Sequence, residues 1–201
     1  MNYLITGGAG FIGSNCADHF LNQGHVVTIF DNFSRPGSRL NVAWLRKRLD
    51  DAQLYVIEGD VRDYQTLLEA VKGADVVLHL ASQVAVTHSV LDPRQDFEIN
   101  ALGTFNVLEA VRLAAPQAAV LYASTNKVYG GMEDVQISEE ATRYTYTDQV
   151  FGIPETYPLD FHSPYGCSKG AGDQYTRDYA RIYDLRTLTF RQSCIYGRRQ
   201  F

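Results

Sequence analysis

No run of about 18 consecutive apolar residues occurs in the sequence, so no segment reads as a membrane-spanning helix. Nor is a secretory leader recognisable: Met1 leads directly into NYLIT and a glycine turn, without a charged segment followed by an apolar one. Cysteine is scarce. The three present, Cys16, Cys167 and Cys194, are odd in number and scattered, which excludes a disulfide framework and suits a reducing compartment. A cytoplasmic location is therefore expected. Basic tracts are missing as well, and a formal net charge of −5 with a pI near 5.5 argues against nucleic acid held by a basic face. The five histidines (His19, His25, His79, His88 and His162) are dispersed without HxxH or CxxC spacing, so no metal site is expected.

What the sequence does contain fits one soluble globular domain: 201 residues, 45% hydrophobic and 20% charged. Short β-branched or aromatic runs at 2–6, 26–30, 53–58, 75–81, 118–124 and 185–193 read as six strands. Each is nearly continuously apolar, which implies burial on both faces and hence a parallel sheet with helices on either side. Helical stretches at 11–23, 39–50, 63–72, 92–115 and 164–184 complete a doubly wound α/β (Rossmann) order, βαβαβ followed by βαβαβ.

Residues 130–163 break this alternation. They hold two prolines and seven acids without a period, and five aromatic residues (Tyr144, Tyr146, Phe151, Tyr157 and Phe161) that need packing partners. A lid or rim over a pocket is the expectation. The stretch 92–115 is apolar around more than one stripe, through Phe97, Ile99, Leu102, Phe105, Val107, Leu108, Val111 and Leu113. Together with Tyr175, Tyr179, Ile182 and Tyr183 in 164–184, it suggests either ordinary core packing or the interface of a homodimer.

GGAGFIG at 7–13 follows the first strand and opens the first helix. Gly7, Gly10 and Gly13 would give a tight turn, close approach of a pyrophosphate, and close helix–strand packing, with helix N–H groups facing the anion. Asp31, at the tip of the second strand, stands where a carboxylate can accept from both hydroxyls of an adenosine ribose. Such an acid repels the 2′-phosphate of NADP, so the expected cofactor is NAD, although Arg35 and Arg39 lie close enough in sequence to soften that repulsion. Asp60 in GDVRD is a candidate contact for the adenine amino group, and Asp63 an ordinary helix cap.

SPYGCSKG at 163–170 places a phenol, Tyr165, and an ammonium, Lys169, four residues apart. On a helix both project from one face. An ammonium about 4 Å from a phenol at effective dielectric ~20 is worth at most ~4 kcal/mol, which would lower the phenol pKa from ~10 by up to ~3 units. Tyr165 would then be a usable base toward a sugar or alcohol hydroxyl, with Lys169 stabilising the phenolate and holding the nicotinamide ribose.

Taken in order, GGAGFIG, Asp31, GDVRD, HLASQVA, STNKVYG and YGCSK resemble the extended short-chain dehydrogenase/reductase family over essentially the whole chain. That resemblance implies an NAD-dependent enzyme with a catalytic triad of Thr125, Tyr165 and Lys169, Ser124 being the fallback for the hydroxyl. It further implies cofactor contacts from Phe11, Ile12, Asn32, Val61, Leu80 and Ala81, beside the glycines, Asp31 and Asp60. STNKVYG, EATRYT and LDFHSPYGCSKGAGDQY are similar to epimerases of nucleotide sugars, and of a CDP-sugar in particular. Dehydratases of the family carry acids directly after the catalytic threonine. Asn126 and Lys127 stand there instead, which disfavours dehydration and leaves Lys127 either a substrate contact or a plain surface lysine. Family members continue into a smaller substrate lobe beyond the FRQSCIYG strand, and that lobe is expected to be missing from residues 1–201.

Overall fold

A computed structural model describes residues 1–48, 51–149 and 151–201. The strands are β1 (Asn2–Thr6), β2 (Val26–Asp31), β3 (Leu54–Glu58), β4 (Val76–His79), β5 (Ala119–Thr125), the short β6 (Ile137–Glu139) and β7 (Tyr144–Tyr146), and β8 (Arg186–Gln192). The helices are α1 (Phe11–Asn22), α2 (Ser38–Arg48), α3 (Tyr64–Ala70), α4 (Val86–Leu91), α5 (Pro93–Phe97), α6 (Gly103–Ala114) and α7 (Ser163–Tyr183). Six strands form one parallel sheet in the order β3-β2-β1-β4-β5-β8. All six predicted strands are therefore present. The sheet order reverses between β1 and β4, which opens a crevice beyond the carboxyl ends of those strands.

In the four inner strands, β2, β1, β4 and β5, continuous apolarity has the anticipated cause, whereas the edge strands β3 and β8 correct the expectation, leaving Tyr55, Leu188 and Phe190 exposed. Successive side chains feed opposite faces, so Leu4, Val77 and Val120 join Leu67, Val107, Leu108 and Val111 on one side. Ile5, Val27, Ile29 and Leu78 join Ala17, Leu21, Val42 and Leu45 on the other. Each fully buried aliphatic side chain contributes roughly 1.5–3 kcal/mol. Polar residues that face inward, such as Thr6 and His79, are tolerated because they hydrogen-bond each other.

Three sequence expectations need correction or completion. The stretch 92–115 is not one regular helix: α5 passes into a π-helical segment, Glu98–Leu102, before α6 begins, and the short α4 precedes it. The helix anticipated over 39–50 is described as Ser38–Arg48, and residues 49 and 50 lie outside the described residues. The excursion 130–163 contains an antiparallel hairpin, β6 with β7, paired from Ile137 with Tyr146 to Glu139 with Tyr144. Two of its five aromatic residues find partners in the body of the domain: Tyr157 packs edge-on against Tyr129, and Phe161 occupies the space a side chain at Gly170 would need. Among the described residues no helix is long and apolar enough to cross a membrane.

Candidate active site

At the carboxyl end of β1 the chain turns through the glycines into α1. Gly7 lies at φ +67°, and a Cβ there would come within 2.7 Å of the Ala81 backbone nitrogen and 3.0 Å of the Leu80 carbonyl carbon. Only glycine combines that backbone with that approach. A Cβ at Gly13 would fall 2.4 Å from the Gly7 carbonyl oxygen, so α1 can lie this close to the turn only without a side chain. Gly10 is the N-cap and offers no side chain to the first turn of α1, which Phe11 and Ile12 begin. The open N–H groups there suit an anion.

Asp31 ends β2 beside this turn. Its carboxylate accepts from the backbone N–H of Ala9 (3.0 Å) and of Phe33 (2.8 Å). Burial pushes its pKa up, and the two N–H groups pull it back. Asn32 donates to Asp60 at 2.8 Å, and Arg62 grips both Asp60 oxygens, from Nε at 2.9 Å and Nη2 at 2.8 Å. The Arg62 side chain is the largest influence holding Asp60 down, to about 2. Asp60 is thus a carboxylate already well supplied with donors. Val61 lies against Gly103, whose missing side chain admits it, and its carbonyl accepts from Asn106 at 3.0 Å. Arg39 is occupied by Glu58 at 2.8 Å and by the Phe33 ring at 4.3 Å, away from the role of offsetting Asp31. Asp63 caps α3, accepting from Gln65 and Thr66 N–H groups at 3.2 Å each.

The second group of residues assembles where β5 ends and α7 begins. Tyr165 is the third residue of α7 and its backbone N–H donates to Ser89 Oγ on α4 at 3.1 Å. Lys169 follows one turn later and is buried. Thr125 closes β5, its hydroxyl accepting from the Lys127 N–H at 3.2 Å, and it stands near enough to the Tyr165 phenol to oppose the rise that burial causes there. Ser124 points away, donating to Asp173 at 2.8 Å. Of the two candidate hydroxyls, Thr125 is the one set beside the phenol.

The expected effect of Lys169 on Tyr165 is corrected by the structure. Burial is the largest influence on the phenol and raises its pKa, with Thr125 opposing and Asp96 adding to the rise. Lys169 moves the other way: burial takes it down to about 7, against the pull of Asp96 and Asp173. Helical spacing gives the pair a Coulomb energy but no desolvation, and desolvation dominates both groups.

Sequence reasoning missed the polar network beneath these residues. Asp96 and Asn100 are buried one turn apart on α5 and the π-helical segment. Asp96 accepts from Ser168 Oγ at 2.5 Å and Gln83 Nε2 at 2.9 Å, and Asn100 Nδ2 reaches Ser168 Oγ at 3.2 Å. His79 bridges Thr6 at 2.7 Å through Nδ1 and Thr104 at 3.0 Å through Nε2. Since Thr104 donates to the Asn100 carbonyl, Nε2 carries the ring proton and Nδ1 accepts from Thr6. Asp173 is gripped by Arg191 from Nε at 2.9 Å and Nη2 at 3.0 Å. Of these residues only His79 carried a signal in the sequence, a polar side chain within the apolar run 75–81.

The fold and these two adjoining clusters define a class: Rossmann domains of the nucleotide-sugar epimerases and dehydratases, within the extended short-chain dehydrogenase/reductases. The chain belongs to the family described as GDP-mannose 4,6 dehydratase, whose model matches residues 4–201. It is 48% identical to a CDP-paratose 2-epimerase of Salmonella typhi over 100% of this chain and 59% of that protein. It is 33% identical to a putative UDP-glucose 4-epimerase of Methanocaldococcus jannaschii, over 98% of this chain and 57% of the relative. Among solved structures, it resembles the UDP-glucose 4-epimerase of Thermus thermophilus in complex with NAD, at 34% identity and a TM-score of 0.80. That likeness covers all of this chain and 58% of the other. The dTDP-glucose 4,6-dehydratase DesIV of Streptomyces venezuelae, with NAD and TYD bound, gives a TM-score of 0.82 at 30% identity, over 100% and 58% of the two chains. The chain thus spans less than two thirds of the length of these relatives.

Proposed function

We propose that these residues form the cofactor half and the proton-transfer groups of an NAD-dependent nucleotide-sugar epimerase. The observation that carries the reading is the placement of Tyr165, Lys169 and Thr125 at the carboxyl end of β5, on the same sheet edge as the glycine turn of β1. The cradle fits a dinucleotide: Gly7 and Gly13 are closed to any side chain, Gly10 leaves the start of α1 open, and Asp31 ends the neighbouring strand. Gly7, Gly10, Phe11, Ile12 and Gly13 would hold the pyrophosphate. Asp31 and Asn32 would hold the ribose, Asp60 and Val61 the adenine, and Leu80 and Ala81 the far side of the turn. NAD bound there would supply an oxidant that takes a hydride from a sugar carbon and returns it. Tyr165 exchanges a proton with the reacting hydroxyl, Thr125 hydrogen-bonds that oxygen, and Lys169 holds the nicotinamide ribose and the charge state of the site.

Within this class the reading is narrowed to inversion of carbon 2 of a CDP-3,6-dideoxyhexose, CDP-paratose to CDP-tyvelose. The 48% identity to a protein of that name supports it, as do Asn126 and Lys127 in place of the acids that dehydration requires. The 4-epimerase relatives favour a second reading, inversion of carbon 4 of another nucleotide sugar. Substrate deuterated at carbon 2, incubated with the full-length enzyme in ordinary water, separates the possibilities. Inverted product that keeps its deuterium supports transient oxidation, wash-out to solvent hydrogen refutes it, and no inversion at carbon 2 moves the reading to carbon 4.

A homodimer through 92–115 and 164–184 belongs to the same proposal. Phe97, Phe105 and Leu113 on one side and Tyr175, Ile182 and Tyr183 on the other remain exposed, at 38–65% of their surface. Phe105 already packs edge-on against Tyr175, which joins the two sets into one apolar face. Sedimentation of Ile182→Arg as a monomer where the parent is a dimer is the expected outcome.

A further inference from the structure

Lys169 has lost nearly all contact with water, and a buried ammonium needs some compensation. The structure sets an aromatic face against it: Nζ lies 4.5 Å from the centre of the Tyr122 ring. That ring is itself fixed. Tyr122 is fully buried in β5, its hydroxyl donates to the Lys169 carbonyl at 3.2 Å, and the His79 ring stacks against it with centres 5.6 Å apart. Gly172 makes the fit possible, since a Cβ there would fall 2.5 Å from the Tyr122 oxygen. Three positions, His79 in β4 with Lys169 and Gly172 in α7, therefore agree on where this ring goes.

We propose that Tyr122 is a positioning residue for the site, its ring face seating the Lys169 ammonium from beneath and so setting how much of the lysine is charged at neutral pH. The inference rests on the reading of Lys169 as a working group. A cation over a desolvated ring face is attracted by the ring quadrupole, whereas a carboxylate at that distance would bind the ammonium as a fixed ion pair. Lys169 thereby keeps a proton that it can still lose. The charged and titratable groups around it are Asp96 from α5, Asp173 from its own helix, His79 from β4 and Tyr165 one turn away. Arg191 from β8 stands behind Asp173. The two carboxylates favour the ammonium and burial opposes it, leaving the balance near pH 7, where a ring contact changes occupancy measurably.

Fluorinated phenylalanines incorporated at position 122 test this, because each fluorine weakens the ring quadrupole while the shape is nearly kept. With 13Cε-labelled lysine the chain shows only four lysines, and Lys169→Met identifies the signal that matters. Tyr122→Phe should leave the Lys169 midpoint close to that of the parent. Successive fluorination should then lower it stepwise, by about one pH unit at full substitution. A midpoint unchanged along the series overturns the proposal. So does a drop already complete in Tyr122→Phe, which would assign the effect to the hydroxyl. The titration needs no turnover, so its failure is distinguishable from failure of the epimerase reading, which Tyr165→Phe and the deuterium experiment address.

Discussion

Replacing Arg191 by methionine should strand a buried charge, and the structure says how much support remains. Asp173 has no exposed side-chain surface and Arg191 only 11%. The guanidinium makes two bonds to the carboxylate, and adds bonds of 2.9 Å to the Tyr129 hydroxyl and 3.1 Å to the Glu155 carbonyl. Breaking a buried pair on one side typically costs about 3–5 kcal/mol. Two donors stay with Asp173 in the variant, Ser124 Oγ at 2.8 Å and Gln174 Nε2 at 2.9 Å, which places the expected loss toward the lower end. Losing the Tyr129 and Glu155 contacts adds about 1 kcal/mol, since both are partly solvated. The sum is about 4 kcal/mol, or roughly 8–16 °C in Tm for a domain of this size. Urea unfolding of parent and variant with matched m values measures it. The double variant Arg191→Met/Asp173→Leu removes the orphaned charge and should recover more than half of the loss. A single variant within about 1 kcal/mol of the parent, or a double no better than the single, refutes the reasoning.

Tyr165→Phe in the full-length enzyme should bind NAD as the parent does while turnover falls by about 10²-fold or more, read by calorimetry and by product formation. Asp31→Ser should weaken NAD and improve NADP relative to it, because the ribose acceptor and the anionic repulsion leave together; a parent that already binds NADP more tightly in the same titration would contradict the assignment. His79, held neutral by burial at about 3 against an ordinary 6.5, makes the folded state refuse a proton that the unfolded state takes, so its contribution is present above pH 6.5 and lost as pH falls toward 3. Unfolding of His79→Gln against the parent across that range should show an acid-side slope shallower by roughly 1 kcal/mol per pH unit.

The strands and the glycine turn were legible because each rests on a local rule. Continuous apolarity reports burial on both faces, and GGAGFIG between a strand and a helix reports a close backbone approach. Interruptions of regular structure were not legible in the same way. Residues 92–115 carry enough apolar side chains to read as one helix, while Glu98–Leu102, where the π-helical segment lies, holds no glycine or proline to announce it. The hairpin of β6 and β7 is only three residues per strand and exposed at most positions, so burial imposes no alternation on it. Asp173 and Arg191 show a third limit. Eighteen residues separate them, and only the register of β8 on β5, with Arg191 opposite Ser124, brings the guanidinium to α7.

The same limit explains the misjudged phenol. Spacing on a helix tells that Tyr165 and Lys169 share a face, and Coulomb's law converts that into a depressed pKa only if water solvates both groups equally in the two states. Packing of α4, α5 and α7 removes that water. Burial then raises an acid that ionises to an anion and lowers a base that ionises to a cation, so the two pKa values move apart, the phenol upward and the lysine downward. The folded chain by itself holds a protonated phenol above a lysine near its midpoint, and any positive charge brought next to Tyr165 acts on a site with little water to screen it. Substrate and cofactor would thus complete the electrostatics of the pair, and this is the physical reason that the strength of the base was not readable from SPYGCSKG alone.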